Sequence, residues 1–153
     1  TVTGVQTCAL PIFDKKYMLS KKTQYALKAL SYMMEHNNGA PILIAIIAEE
    51  KKIPIKFLEN ILLILRKAGF LKSKKGKHGG YFFAMPPEEI KLSALFRILE
   101  GPIALLPCVS LNFYQKCEDC DEIKCGINKI MTAVRDNTLT ILDNVTIKDL
   151  THY

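Results

Sequence analysis

Apolar positions along the chain fall into separate periodic blocks, and each block predicts an element. After Ser20, a candidate N-cap, Tyr25, Ala26, Ala29, Leu30, Met33 and Met34 recur on one helical face, predicting a helix to about His36. Asn37-Asn38-Gly39 supplies residues that tolerate the left-handed backbone on which helices end. A short helix is predicted from about Leu43 to Lys51, and Ile53-Pro54 interrupts it. Proline suits the first turn of a third helix, where its missing N–H costs nothing. That helix is expected to reach about Ala68, with Phe57, Leu58, Ile61, Leu62 and Leu65 facing inward and Gly69 just past its end. Two strand-like runs, 71–74 and 81–84, flank Lys75-Gly76-Lys77-His78-Gly79-Gly80 and predict a β-hairpin with a basic tip. Pro86-Pro87 closes the hairpin, a helix is predicted over about 92–99, and Gly101-Pro102 stops it. Finally, Ile127, Ile130, Met131 and Val134 form a helical stripe that Thr138, Ile141, Leu142 and Val145 repeat, predicting a long helix over about 126–144. The elements before it already make a complete small fold, so this stripe is expected to meet a partner helix.

Two helices, a tight break, a third helix and a basic hairpin are the order of a winged helix-turn-helix. The expected fold is mainly α with a small β-hairpin wing, plus a long C-terminal dimerisation helix. Four stretches follow: a leader (1–17), a winged helix-turn-helix domain (18–103), a cysteine-rich sensory loop (104–125), and the dimerisation helix with its tail (126–153). The leader lacks a basic n-region and carries only a brief apolar patch, Ala9 to Phe13, so it does not read as an export signal. It resembles translated sequencing-adapter read-through, and Met18 is the expected native start. The longest apolar run, Ile42 to Ala48, is too short to span a bilayer, so no membrane role is expected, and the missing export signal makes a cytoplasmic location the expectation. There is no internal repeat of the length that builds solenoids.

Charge sharpens this picture. The chain carries +6, but 51–78 holds nine Lys or Arg against the single acid Glu59, a local +8. A concentrated basic region on a near-neutral body suits a polyanion, and double-stranded DNA is the expected partner. A helix fits the major groove and offers its N-terminal side chains to base edges. Candidate readers are Lys56, Glu59, which could accept from cytosine N4, and Asn60, which could pair with adenine. Lys72, Lys74, Lys75 and Lys77 are expected to meet phosphates, and His78 at the wing tip reads as a phosphate contact or a solvated side chain rather than a metal ligand. Catalysis is not expected: there is no nucleophile–base–orienter pattern, phosphate-binding loop or HExxH.

Y-A-L-K-A-L at 25–30, F-L-E-N-I-L-L-I-L-R-K-A-G-F-L-K-S at 57–73 and K-G-K-H-G-G-Y at 75–81 closely resemble the IscR-type, or Rrf-two, family of bacterial winged-helix transcription regulators. Leu-Glu-Gly-Pro-Ile at 99–103, the spaced cysteines after it and Val-Arg-Asp at 134–136 extend the likeness over about Met18 to Leu150. The resemblance implies a DNA-binding regulator, expected to repress, that forms a homodimer through crossed C-terminal helices. It implies base readout by Glu59 and a minor-groove cation at the residue before the first wing glycine. The family usually has arginine there, and Lys75 lacks its planar fork. The expected dimer seam is Ile127, Ile130, Met131, Val134, Ile141 and Leu142.

Leaving aside Cys8 in the leader, four cysteines follow C-x8-C-x2-C-x4-C: Cys108, Cys117, Cys120 and Cys125. Without an export signal, clustered thiols favour metal or redox chemistry over disulfides. Thiolates so spaced can converge on one soft metal centre. In the family that the chain resembles, three cysteines and one other ligand can hold an iron–sulfur cluster and several members lack one; the spacing here is not the even triple of the best-known cluster binders. A four-thiolate zinc site, or thiols without metal that oxidise reversibly, remain open alternatives. His152, in the tail, is not read as a ligand. Two rivals to DNA-directed regulation are a small iron–sulfur or redox protein, against which the basic block speaks, and a zinc-stabilised adaptor that binds protein through its C-terminal helix.

Overall fold

The computed structural model describes residues 19–118 and 121–151. The leader, Cys8, Asp119, Cys120 and His152 lie outside the described residues. Helix α1 spans Lys21–Glu35, and Ser20 caps it by accepting the Thr23 N–H on its hydroxyl at 3.2 Å. Ala26, Ala29, Leu30 and Met33, one face of α1, are buried. Helix α2 is Ile44–Glu50 and α3 is Ile55–Lys67. Between them Lys52 takes a positive φ of 52°, and the Ile53 N–H returns to the Ala48 carbonyl at 2.9 Å. Pro54 sits one residue earlier than expected, as the N-cap of α3; its extended ψ of 123° turns the chain, and its carbonyl accepts from Phe57 and Leu58. Buried Ile53 and Leu58 flank this start, the arrangement of a hydrophobic staple.

Leu58, Ile61, Leu62 and Leu65 of α3 enter the core as expected. Phe57 does not: it is 41% exposed, with its ring edge-on to Tyr25 at 5.7 Å. One position from Leu58, it lies at the margin of the buried stripe rather than within it. Past the C-cap Ala68, Gly69 takes φ +85°, its N–H reaches the Arg66 carbonyl and the Phe70 N–H reaches the Leu65 carbonyl. Those two bonds are a Schellman motif, and they aim the chain directly into the hairpin.

Strands β1 (Leu71–Lys74) and β2 (Gly80–Phe83) pair antiparallel, with Leu71 opposite Phe83 and Lys74 opposite Gly80. β2 therefore starts one residue before the expected 81–84. The hairpin has a third participant, since Ile42, between α1 and α2, exchanges both backbone hydrogen bonds with Tyr81 at 2.9 Å. This close passage explains Gly80: its φ is +140°, and a Cβ there would stand 2.2 Å from the Ile42 carbonyl oxygen.

Helix α4 (Leu92–Leu99) follows a 3₁₀ turn at Pro87–Glu89, and a second 3₁₀ turn, Pro107–Val109, carries Cys108. Helix α5 spans Gly126–Asn144. Beyond it the chain turns back into the fold. Lys91 and Thr146 form an antiparallel bridge, the Ile147 N–H donates to the Ile90 carbonyl at 3.0 Å, and Ile147 is fully buried beside Ile90 and Leu95 in the core cluster. Among the described residues no helix is long and apolar enough to cross a membrane.

Candidate nucleic-acid interface

The buried stripe of α3 leaves its opposite face to solvent, and Ile55, Lys56 and Asn60 are exposed on it while Glu59 is half-buried. Lys56, with 88% of its side chain exposed, pairs with Glu59 at 3.3 Å. An i, i+3 pair this open is worth little, so both side chains remain available to a ligand. At the other end of the helix Arg66 donates to the Ser73 hydroxyl at 3.0 Å, which ties α3 to β1 and fixes the wing relative to the helix.

Lys72, Lys74, Lys75, Lys77 and His78 are all exposed on the hairpin. Gly76, at φ +106°, and Gly79 shape the tip; a Cβ on Gly79 would stand 2.3 Å from the Lys74 carbonyl oxygen. A groove of about 530 Å³ runs between the wing and the α1–α2 connection, where Lys74, Lys77 and His78 face His36 and Asn38. Sequence reading passes over His36 and Asn38, because the Ile42–Tyr81 bridge that brings their connection beside the wing is a long-range pairing. His36 is stacked on Tyr32 with ring centroids 4.1 Å apart, and its Nδ1 lies 2.9 Å from the Tyr32 carbonyl oxygen. Not every cation of the basic block faces outward alone: Lys51 lies 3.6 Å from Glu35 and over the Tyr32 ring.

At the far end of the chain α5 presents an apolar face. Among the described residues of α5 none is fully buried. Ile127, Ile130 and Ile141 are 63%, 61% and 65% exposed, and Val134 is exposed too, while Met131 and Leu142 are partly covered. An uncovered stripe of this kind differs from the single scattered apolar side chains of ordinary surfaces.

The cysteines gather only in part. Cys125 caps α5, its Sγ accepting the Asn128 N–H at 3.4 Å, and the Asn128 side chain donates to the Cys108 carbonyl at 3.5 Å. Asn128 thus holds both cysteines at the start of α5. Arg135 adds a second tie, donating to the carbonyl of buried Val109 while pairing with Asp136 at 2.7 Å. Cys117 is exposed, and Cys120 lies outside the described residues. Among the described residues no three His, Cys, Asp or Glu side chains converge on a metal position. The donors are chemically suited to a soft metal, and Asn128 links the Cys125 sulfur to the Cys108 backbone, not to its thiol.

Residues 19–153 match the family described as Rrf2, iron-dependent transcriptional regulator. A Rhodobacter capsulatus HTH-type transcriptional regulator named as rrf2-like is 42% identical over 137 residues, covering 87% of this chain and 91% of that protein. The solved structure of CymR, the global cysteine regulator of B. subtilis, superposes with a TM-score of 0.74 at 28% identity, covering 90% of this chain and 98% of that one. T. potens IscR superposes with a TM-score of 0.64 at 27% identity, covering 89% and 87%. These neighbours are winged-helix transcriptional regulators rather than enzymes.

Proposed function

Because the chain belongs to the Rrf2 family of transcriptional regulators, we propose that it binds a specific duplex as a homodimer and represses transcription, with affinity set by its cysteine site. The observation that carries DNA reading is the division of α3. Its buried stripe fixes the helix in the core, while Lys56, Glu59 and Asn60 stand on the solvent face beside a wing of exposed cations. In this reading α3 enters the major groove, Glu59 accepts from a cytosine N4 and Asn60 bonds adenine. Lys72, Lys74, Lys75, Lys77 and His78 follow the backbone, with Lys75 nearest the minor groove.

Pairing through Ile127, Ile130, Met131, Val134, Ile141 and Leu142 would cover the apolar face of α5 and set two recognition helices about one DNA turn (~34 Å) apart. The sensory part rests on Cys108, Cys117, Cys120 and Cys125 as soft ligands for an iron–sulfur cluster, a reading supported by the iron-dependent description of the family. Such a cluster would supply a centre responsive to redox state or iron supply. Likeness to a regulator named for cysteine favours the second reading, thiols that respond without metal. In either case the protein's own part is the same: Asn128 and Arg135 join the Cys108 turn to α5, so a change at the thiols reaches the helix that would set half-site spacing.

Binding to a selected duplex across a salt series tests the interface. Replacing Lys74, Lys75 and Lys77 with glutamine is expected to weaken all duplexes and to lower the salt slope by about 0.9 for each phosphate no longer neutralised. Glu59→Ala is expected to relax preference at one position per half-site, at a cost of about 1–3 kcal/mol on the preferred base pair. An unchanged salt slope removes the wing from the interface.

A further inference from the structure

An isoleucine stands where the proposed DNA-facing surface would be expected to be polar. Ile55 is the first residue of α3 and is 42% exposed. It lies one turn before Glu59, so the two share a face of the helix. Neither structural use of an apolar residue at a helix start applies to it. The staple across this start is made by Ile53 and Leu58, and the aromatic contact to α1 is made by Phe57 on Tyr25. Ile55 is absent from the hydrophobic cluster that includes Leu58 and Ile61. Its surroundings are cationic: 51–78 carries a net +8, and Lys56 beside it is almost fully exposed. That charge draws a polyanion to this face.

Duplex DNA offers an apolar side chain in the major groove one distinctive target, the C5-methyl of thymine. We propose that Ile55 is a specificity-determining residue that reads a thymine methyl next to the base pair contacted by Glu59. The inference rests on α3 being the reading helix. Glu59 and Ile55 then divide the work: the carboxylate selects by hydrogen bonding, and the branched side chain selects by excluding water from a methyl. Cytosine in place of that thymine loses the methyl, whereas 5-methylcytosine keeps it.

The test begins with the full chain and a randomised duplex library, from which a preferred sequence is selected. Each thymine of that sequence is then replaced singly by deoxyuridine, which removes only the methyl, and affinity is measured by fluorescence anisotropy at fixed salt. One thymine per half-site is expected to lose about fourfold in affinity, corresponding to ~0.8 kcal/mol for one buried methyl-sized group. Ile55→Ala should abolish that loss without altering the far-ultraviolet circular dichroism, and Ile55→Val, which keeps a branched side chain, should retain most of it. The inference is overturned if no deoxyuridine weakens the wild-type protein, or if the sensitive thymine stays equally sensitive in Ile55→Ala. Should Glu59→Ala still relax a base preference in that case, the reading helix stands and only the role of Ile55 falls. A library that yields no preferred sequence overturns both.

Discussion

Glu100, the C-cap of α4, accepts the Ser20 N–H at 2.8 Å and the Ser20 hydroxyl at 2.7 Å, while Ser20 itself caps α1. Burial pushes the Glu100 carboxyl up, but the hydrogen bonds from Thr23 and Ser20 and the nearby charge of Lys22 outweigh it and hold the group below its usual range. A lowered folded value means that the ionised carboxylate stabilises the fold at neutral pH. The contribution is full above the unfolded value, about 4.3, fades as pH falls through the folded value, and is gone below it. Thermal melts of wild type and Glu100→Gln should therefore differ at neutral pH and converge in acid. A gap that persists unchanged in acid would show that the carboxylate charge is not its source. Ser20→Ala removes the cap as well and should cost about 1 kcal/mol at neutral pH.

Gly80 and Gly76 should respond differently to alanine. Both have positive φ, but a Cβ on Gly80 meets the Ile42 carbonyl at 2.2 Å, whereas one on Gly76 meets nothing within 4 Å. Backbone strain alone predicts a loss of about 1–3 kcal/mol at each. Gly80→Ala should add the steric conflict and unpair Ile42 from Tyr81, which amide hydrogen exchange at those two residues would report. Equal destabilisation by the two variants would place the bridge outside the energetics of the wing.

Glutamate at Ile130 and Ile141 should separate protomers without unfolding them. Both side chains are already largely in water within the single chain, so charge there costs the isolated fold little. In a dimer seam the same charges would be buried and unpaired. Sedimentation should give a folded monomer with weakened DNA binding, since it no longer engages both half-sites together. A dimer that survives both changes would move the seam elsewhere.

Arg135→Lys keeps the charge but loses the planar fork that reaches Val109 and Asp136 together. Anaerobically isolated protein is expected to carry an iron–sulfur chromophore that Cys117→Ala or Cys120→Ala abolishes. Arg135→Lys should keep the chromophore while reducing the difference in DNA affinity between cluster-bearing and cluster-free protein by several-fold. Stoichiometric zinc, no visible charge-transfer band and DNA affinity indifferent to Cys117→Ala would together remove the iron–sulfur sensor.

Most of the helices and the hairpin are legible in the sequence because their signals are local. Stripes at helical spacing, Ser20 as a cap, Gly69 past a helix end and the glycines of 76–80 each act within a few residues. Long-range pairings carry no such mark. Nothing in the run around Ile42 announces Tyr81 as its partner, and Ile147 sits in a short polar stretch whose burial depends on Ile90, more than fifty residues earlier. Hydrophobicity alone assigns Phe57 to the core, and the phase of the helix turns it to the margin. For the interface, charge concentration indicates the surface, but the facing of His36 and Asn38 toward the wing needs the fold. Spacing names the cysteines as a set, and the geometry gives a common holder, Asn128, for Cys108 and Cys125.

The return of the chain after α5 has a mechanical consequence. With Ile147 locked in the core, and Asp143 and the Val145 carbonyl accepting from Ser93 and Leu92, α5 is fastened to its own domain at its C-terminal end, while Asn128 and Arg135 grip the Cys108 turn of the cysteine loop. It is a stiff lever rather than an arm on a hinge. Its nineteen residues span about 28 Å, so a tilt of roughly five degrees sweeps one end through about 2–3 Å. Little of such a tilt could be absorbed by slack in a linker, because the domain would be carried round with the helix. In a pair joined along these levers, small angular errors become displacements of whole reading heads along the groove, and the alignment tolerance of the duplex becomes the gauge that reads them.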